Sequence, residues 1–91
     1  MTVYVDDAVH PWRGQRWAHL IADTLAELHA MAAQLGIPPR AFQNKASGAH
    51  YDVTAELRAQ AIALGARAIS RHADRELVKA VIANARAQYR P

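Results

Sequence analysis

The sequence contains no cysteine among its 91 residues. This absence excludes a disulfide framework, thiolate catalysis and zinc sites built on sulfur. The sequence also lacks any apolar run that approaches the roughly 20 residues needed to span a bilayer. Near the N-terminus, Asp6 and Asp7 stand where a secretory signal would carry basic residues. We therefore expect a cytoplasmic protein with no membrane segment.

Large core-forming side chains are also scarce. Apolar residues make up 52% of the chain, but alanine supplies much of that fraction. A chain of this length holds one domain, because a second core would be too small to be stable, so we expect a single α/β domain over residues 1–91. A homodimer would cover leftover apolar area. The formal net charge of +3 permits phosphate-bearing partners without requiring them.

The first part of the chain predicts two strands. Residues 2–6 alternate β-branched and aromatic side chains, which places Val3 and Val5 on one face. A connection of about ten residues follows, which is too short for a crossover helix and favours an antiparallel pair. The second strand, over residues 17–22, has Trp17, His19 and Ile21 on one face and Ala18, Leu20 and Ala22 on the other.

The rest of the chain contains sequence signals for the starts and ends of helices. Thr24-Leu25-Ala26-Glu27 is a capping box that begins a first helix, which ends at Gly36. Residues 40–49 are predicted to form a loop with Phe42 tucked inward. A short strand over 50–53 then leads into a second helix.

Thr54 can cap this second helix, which is predicted to end at Gly65. Residues 66–70 are predicted to form a strand, and Asp74 or a neighbour opens a third helix. The alternation predicts an α/β fold with a mixed sheet of three or four strands and about three helices. The inner face of the second helix holds Leu57, Ala61 and Leu64, and the apolar stripe of the third holds Leu77, Val78, Val81, Ile82, Ala85 and Tyr89.

One candidate site lies at a sheet edge. If the second, third and fourth strands run parallel, Asp23, Asp52 and Ser70 meet at their carboxyl ends beside the N-termini of the helices. Helix N-termini offer free amide hydrogens to anions, so an anionic ligand is expected there. Alternatively, Asp23 is only a cap, like Thr24 and Thr54, each worth about 1 kcal/mol of helix stability.

The segment with the highest density of potentially reactive side chains is His50-Tyr51-Asp52, followed by Arg58. A neutral histidine accepts a proton near pH 7 and a neighbouring carboxylate fixes its tautomer, so His50 is a candidate base and Asp52 its partner. Successive strand residues point to opposite faces, so Tyr51 would not share their face. In the structural alternative, Tyr51 packs and Asp52 pairs with Arg58.

Two other histidines are candidates for ligand binding. His19 shares a strand face with Trp17, where a satisfied core histidine is common, and His29 borders the buried stripe of the first helix. The chain has no His-x-x-x-His pair, so a metal is not specified. A divalent metal such as zinc, manganese or iron would suit a set drawn from His19, Asp23, His50 and Asp52.

Acidic and basic clusters offer weaker signals. Asp6-Asp7 resembles the acidic strand ends that hold magnesium, but an Asp pair is also common in turns that follow a strand. If the first strand is antiparallel to the second, the pair lies at the opposite edge from Asp52. Basic residues beside aromatics predict nucleic-acid contact or, alternatively, a solvated face. These residues are Trp12, Arg13, Arg16 and Trp17, with Arg67, Arg71, Arg75, Lys79, Arg86 and Arg90.

Several motifs in order resemble the bacterial and phage family catalogued as domain of unknown function 4031. They are Val3-Tyr4-Val5-Asp6-Asp7, Trp17-Ala18-His19-Leu20-Ile21-Ala22-Asp23, Glu27-Leu28-His29-Ala30-Met31-Ala32, and His50-Tyr51-Asp52-Val53 with Arg58, Ala61 and Gly65-Ala66. The resemblance extends to about Ser70 and more loosely over the third helix. It implies a polar site made from Asp6, Asp7, His19, Asp23, His29, His50, Tyr51, Asp52 and Arg58.

These observations favour a small protein that binds, and in its enzymatic version hydrolyses, a phosphate-bearing ligand such as a nucleotide. In that hypothesis His50 is the base, Asp52 orients it and Arg58 meets the anion. A pure binding module would give ligand-dependent stabilisation with no product. The alternative is a protein- or nucleic-acid-interaction module, a phage or bacterial accessory protein without catalysis.

Overall fold

The structure is a computed structural model that describes residues 2–7, 9–45 and 48–88. The α/β class and three helices are confirmed, but the described residues form six strands rather than three or four. None of the described helices is long and apolar enough to cross a membrane. The elements are β1 (Val3–Val5), β2 (His10–Trp12), β3 (Gln15–Ala22), α1 (Leu25–Gln34), a 3-10 turn (Pro39–Ala41), β4 (Gln43–Lys45), β5 (Gly48–Thr54), α2 (Ala55–Ala63), β6 (Arg67–Ala68) and α3 (Arg75–Gln88).

Strand β3 is the centre of the sheet. The order is β4-β5-β3-β1-β6, and β2 pairs with β3 on the edge that β1 also uses. Both β1 and β5 run antiparallel to β3, with Val5 opposite Leu20 and Asp52 opposite His19. The antiparallel first pair is confirmed. The parallel arrangement considered for the second and third predicted strands is wrong, so Asp23 and Asp52 do not meet at one edge.

The two faces of the sheet carry different layers. On the α1–α2 face, alternate residues of β3 and β5 form the larger core with helices α1 and α2. On the α3 face, a smaller core covers only part of the sheet beneath helix α3. The larger core includes Ala18, Leu20, Ala22, Tyr51, Val53, Leu28, Met31, Ala32 and Ala61, and the smaller core includes Tyr4, Ile21, Ile69, Val78 and Val81.

The predicted helix caps are present. The Thr24 Oγ1 accepts a hydrogen bond from the Glu27 backbone N–H at 3.2 Å, and its hydroxyl donates to Glu27 Oε1 at 2.8 Å. The Thr54 Oγ1 accepts from the Leu57 N–H at 3.2 Å. Gly36 ends α1 with a φ of 76°, a conformation that glycine adopts without a steric cost. Each cap contributes about 1 kcal/mol to the stability of its helix.

A β-hairpin replaces most of the connection predicted between the first two strands. Residues 10–12 pair with residues 15–17, and Trp12 lies opposite Gln15. The turn residues Arg13 and Gly14 have φ values of 50° and 74°. Two-residue hairpins of type I′ require positive φ at both positions. An Arg-Gly turn after a proline-containing strand is a weak sequence signal for this geometry.

Other departures concern exposed or short elements. Residues 43–45 form β4 and β5 begins at Gly48, so the predicted loop over 40–49 is wrong at residues 43–45 and 48–49, although Phe42 does pack against the larger core. Leu64 is 50% exposed and does not belong to the inner face of α2. The strand predicted over 66–70 is only the two residues of β6. Tyr89, predicted in the stripe of α3, and Arg90 lie outside the described residues.

Candidate functional site

Four polar residues from three separate segments of the chain lie side by side on the α3 face. His50 and Asp52 alternate along β5, and Asp52 is paired with His19 of β3. Asp6 directly follows β1, and its backbone N–H donates to the His19 carbonyl oxygen at 3.2 Å. Strand alternation points all four side chains to the same face. We call Asp6, His19, His50 and Asp52 the His–Asp row.

A buried carboxylate holds the His19 ring. Asp6 Oδ2 lies 2.8 Å from His19 Nδ1, and Asp6 Oδ1 accepts from the His19 backbone N–H at 2.6 Å. Asp6 is 2% exposed. An ionised carboxylate can only accept hydrogen bonds, so His19 Nδ1 carries the proton that it donates. The other ring nitrogen, Nε2, therefore faces away from Asp6 and towards Asp52.

Two arginines also contact Asp6. Arg71 Nη1 lies 3.4 Å from Asp6 Oδ2, and Arg58 Nε donates to the Asp6 backbone oxygen at 2.6 Å. Burial acts to raise the Asp6 pKa, but hydrogen bonds from His19 and the charges of His19 and Arg71 outweigh it, so the pKa lies below its ordinary value. The row therefore contains an ionised, fully partnered carboxylate at one end.

The other end of the row is open to solvent. The Asp52 side chain is 39% exposed, and its Oδ2 accepts from Gln43 Nε2 at 2.6 Å. Its Oδ1 lies 3.3 Å from His50 Nε2 and 3.9 Å from His19 Nε2. One potential ligand atom from each of His19, His50 and Asp52 lies within 4.8 Å of the other two. Two imidazole nitrogens and a carboxylate oxygen so arranged can accept a proton or hold a cation.

Tyr51 and His29 lie on the opposite face. Tyr51 is 1% exposed, and its hydroxyl lies 2.7 Å from His29 Nδ1. The Phe42 ring packs edge-on against His29 at 4.8 Å between centroids. Burial raises the pKa of Tyr51. The consecutive string of residues 50–52 thus contributes to two separate clusters, and Tyr51 and His29 do not join the His–Asp row.

The other predicted site residues also lie in separate parts of the structure. Asp23 accepts from the Thr2 backbone N–H at 2.9 Å, beyond the end of β3 and about 13 Å along the strand from His19. The contact described for Asp7 is a backbone one, since its carbonyl accepts from the Val9 N–H at 3.0 Å. Arg58 contacts the Asp6 carbonyl, and the pairing considered between Arg58 and Asp52 is replaced by that of Asp52 with Gln43.

The expected separation of Asp6 from Asp52 is wrong. Because β1 and β5 pair with opposite edges of β3, and their registers bring both carboxylates level with His19, Asp6 and Asp52 flank His19 from opposite sides. Sequence reasoning also missed Gln43, which fell in a predicted loop. It assigned Arg71 only to the predicted basic surface. A register for β4 and β6 would have been needed to place either residue.

Comparison of the chain with curated proteins and with solved structures finds no match. The family model described as protein of unknown function DUF4031 matches residues 3–84 of the 91-residue chain. The matched span contains the whole His–Asp row together with Gln43, Arg58 and Arg71. The chain therefore belongs to the DUF4031 family of proteins of unknown function.

Proposed function

We propose that this protein binds a phosphate-bearing ligand, such as a nucleotide, at the His–Asp row and hydrolyses it. The observation that carries the proposal is the 3.3 Å approach of His50 Nε2 to Asp52 Oδ1 at the solvent-open end of the row. An imidazole beside a carboxylate is the usual arrangement for removing a proton from water. The pair lies beside a second His–Asp pair, which supports a site more than isolated packing would.

The assigned chemistry is phosphoester hydrolysis. The oxygen of a water molecule attacks phosphorus, the bond from phosphorus to the leaving oxygen breaks, the water loses a proton and the leaving oxygen gains one. We assign activation of the water to His50 and Asp52, because both offer proton-accepting atoms and the Asp52 side chain beside the buried His50 ring is 39% exposed. Such activation typically contributes about 10²–10⁴-fold to the rate.

Two guanidinium groups supply positive charge near the other end of the row. The Arg71 side chain is 41% exposed and so remains accessible to an anion beside Asp6. Arg58 uses its Nε to hold the Asp6 carbonyl, which makes it a support for this end as well as a cation. Guanidinium groups bind phosphate through paired, charge-assisted hydrogen bonds. We therefore extend the anion contact first proposed for Arg58 to Arg71.

A product assay tests the proposal. A panel of nucleotides is incubated with the protein in the presence of a panel of divalent metal ions, and the products are separated by chromatography. His50→Ala and Asp52→Asn should each reduce turnover by at least about 100-fold. The control is His29→Ala, on the opposite face, which should keep wild-type turnover. Unchanged turnover in His50→Ala would remove the row from the reaction, and ligand-induced stabilisation without product would favour the pure binding module.

A second candidate function is nucleic-acid binding without catalysis, which the β2–β3 hairpin favours. Trp12 is 57% exposed, and the Arg13 guanidinium lies 4.5 Å above its ring. The Trp17 ring packs against Trp12 at 5.5 Å. Exposed aromatics with adjacent cations stack on single-stranded bases. Trp12→Ala should weaken salt-sensitive binding of a single-stranded oligonucleotide while His50→Ala leaves it intact, and absence of binding at low salt would exclude this function.

The cellular setting and the oligomeric state remain predictions. We propose a bacterial or phage accessory protein that acts in the cytoplasm, which fractionation of cells expressing it would check. A homodimer is also proposed, since Ile62 and Leu64 near the end of α2 are 38% and 50% exposed and offer apolar surface to a second copy. Light scattering in solution gives the mass directly.

A further inference from the structure

Two hydrogen-bond acceptors face each other in the His–Asp row. In neutral His19 the proton sits on Nδ1, because that atom donates to the Asp6 carboxylate. His19 Nε2 then presents a lone pair to Asp52 Oδ1, 3.9 Å away, and the carboxylate oxygen is an acceptor too. Two facing acceptors are repulsive unless a cation lies between them. A positive charge between these two atoms would remove the repulsion.

A metal ion fits this position better than a second proton on His19. The proton on Nε2 would lie in an ion pair of 3.9 Å with Asp52 Oδ1, which is longer than the usual 2.7–3.2 Å of a hydrogen bond. A metal ion with bonds of about 2.0–2.2 Å separates tetrahedral ligand atoms by about 3.3–3.6 Å. Of the two distances from Asp52 Oδ1, the 3.3 Å to His50 Nε2 falls at the lower end of that range, and the 3.9 Å to His19 Nε2 lies slightly above it.

The surrounding residues orient the same three atoms. Asp6 holds the His19 ring from behind, and Gln43 holds the Asp52 oxygen that faces away from the histidines. Histidine ligands of metals almost always donate their other N–H to such a partner, and ligating carboxylates are hydrogen-bonded in turn. Asp6 is itself fixed by the His19 backbone N–H and by Arg71. Two of the three candidate ligands thus show the expected outer support.

We propose that this protein binds one divalent transition-metal ion through His19 Nε2, His50 Nε2 and Asp52 Oδ1, with Asp6 as the positioning residue for His19. Two imidazoles and one carboxylate suit zinc, iron, manganese and their neighbours rather than magnesium, which takes oxygen ligands. Three protein ligands leave a coordination position for water or a phosphate oxygen. The use of the ion in hydrolysis rests on the proposed function, and there His50 serves as a ligand in place of a base.

The ion also resolves a charge conflict in the proposed function. A phosphate placed beside Asp52 would approach a carboxylate of the same sign, with the Asp6 carboxylate on the far side of His19. A divalent cation between Asp52 and the phosphate makes the local charge favourable for the anion. The arginines stand beside Asp6 and do not supply this charge at the Asp52 end.

Calorimetric titration of the chelator-treated 91-residue chain with Zn²⁺ alone tests the metal site. We expect one ion per chain and a higher melting temperature, with no response to Mg²⁺ at the same concentration. Asp52→Asn and His50→Ala should each weaken Zn²⁺ binding by more than 100-fold. His29→Ala and His72→Ala, at an exposed histidine outside the row, are the controls and should bind like wild type. Absence of binding by wild type, or wild-type affinity in both row variants, would overturn the inference.

Asp6→Asn separates positioning from structure. Loss of an outer-shell partner typically weakens metal affinity by about 10–100-fold. The ¹⁵N spectrum of the His19 ring in the metal-free variant should show the Nδ1 proton lost to the other tautomer, which a purely structural role would not change. A folded Asp6→Asn protein with the wild-type tautomer and affinity would contradict the assignment.

The binding and activity measurements test the metal site and the proposed function separately. Zinc binding at the row without hydrolysis of any nucleotide would support the metal site and count against the proposed function. Hydrolysis that persists in excess chelator, and that still depends on His50, would support the proposed function and overturn the metal inference.

Discussion

The two faces of one sheet differ in how they use alternate residues of the same strands. On β3, Ala18 and Leu20 are fully buried on the α1–α2 face, whereas His19 between them joins polar partners on the α3 face. Buried polar groups cost free energy unless they are hydrogen-bonded. Among the described residues every buried side-chain nitrogen or oxygen has a partner. The comparison teaches that one face carries the larger apolar core, whereas the other combines a smaller core with a row of hydrogen-bonded polar side chains.

The largest effect should come from breaking the apolar face. Leu20→Ala truncates a fully buried side chain in the larger core, and such changes cost about 2–5 kcal/mol through lost transfer energy and the cavity left behind. Urea unfolding measures the loss. The folded fraction should still bind Zn²⁺ at the row. A cost below about 1 kcal/mol would mean that this face does not dominate stability.

Asp6→Asn should give the next largest effect, about 1–3 kcal/mol, because it removes a buried, charge-assisted network. The Asp6 pKa is lowered in the folded state from its ordinary 3.8. Its contribution is therefore present above pH 3.8 and is lost as pH falls through the lower folded-state pKa. Urea unfolding of metal-free wild type and variant should converge in acid. A difference that stays constant with pH would count against the ionised carboxylate.

Tyr51→Phe sharpens the contrast between faces. It removes the hydroxyl that contacts His29 while keeping the buried ring, so the expected loss is about 0.5–1.5 kcal/mol. Zinc affinity and turnover should match wild type, because the hydroxyl lies on the α1–α2 face. Loss of turnover in a stable Tyr51→Phe protein would show that the two clusters act together.

Asp52→Asn should have the smallest effect on stability. The side chain is 39% exposed, and substitutions at such positions usually change the free energy of unfolding by about 0.5 kcal/mol or less. The same variant should lose Zn²⁺ binding and turnover. Thermal unfolding of the metal-free protein gives the comparison, and a large destabilisation would identify Asp52 as a structural residue.

Local patterns in the sequence account for the faces and the caps. Alternation correctly separates His19 from Leu20, and Thr24 and Thr54 cap the helices that follow them. The partners of Asp6 could not be predicted in this way. Its contact with Arg71 joins residues 65 positions apart, and it depends on the strand order and direction.

The short strands β2 and β4 were not predicted, for a different reason. β4 is wholly polar in sequence, and β2 contains a proline, so neither resembles a buried strand. β4 carries Gln43, which orients Asp52. The direction of β5 relative to β3 was equally hidden, because hydrophobic alternation is the same for parallel and antiparallel pairs. The strand order and the register together bring Asp52 and Asp6 to opposite sides of His19.

The most direct test is ¹⁵N spectroscopy of the histidine rings during a Zn²⁺ titration of the metal-free protein. We predict that His19 carries its proton on Nδ1 throughout, that Nε2 of His19 and of His50 respond together at one equivalent, and that His29 on the other face does not respond. If the ions instead shift His29 first, or leave His19 and His50 unchanged, the polar row is part of the protein's packing and not its site.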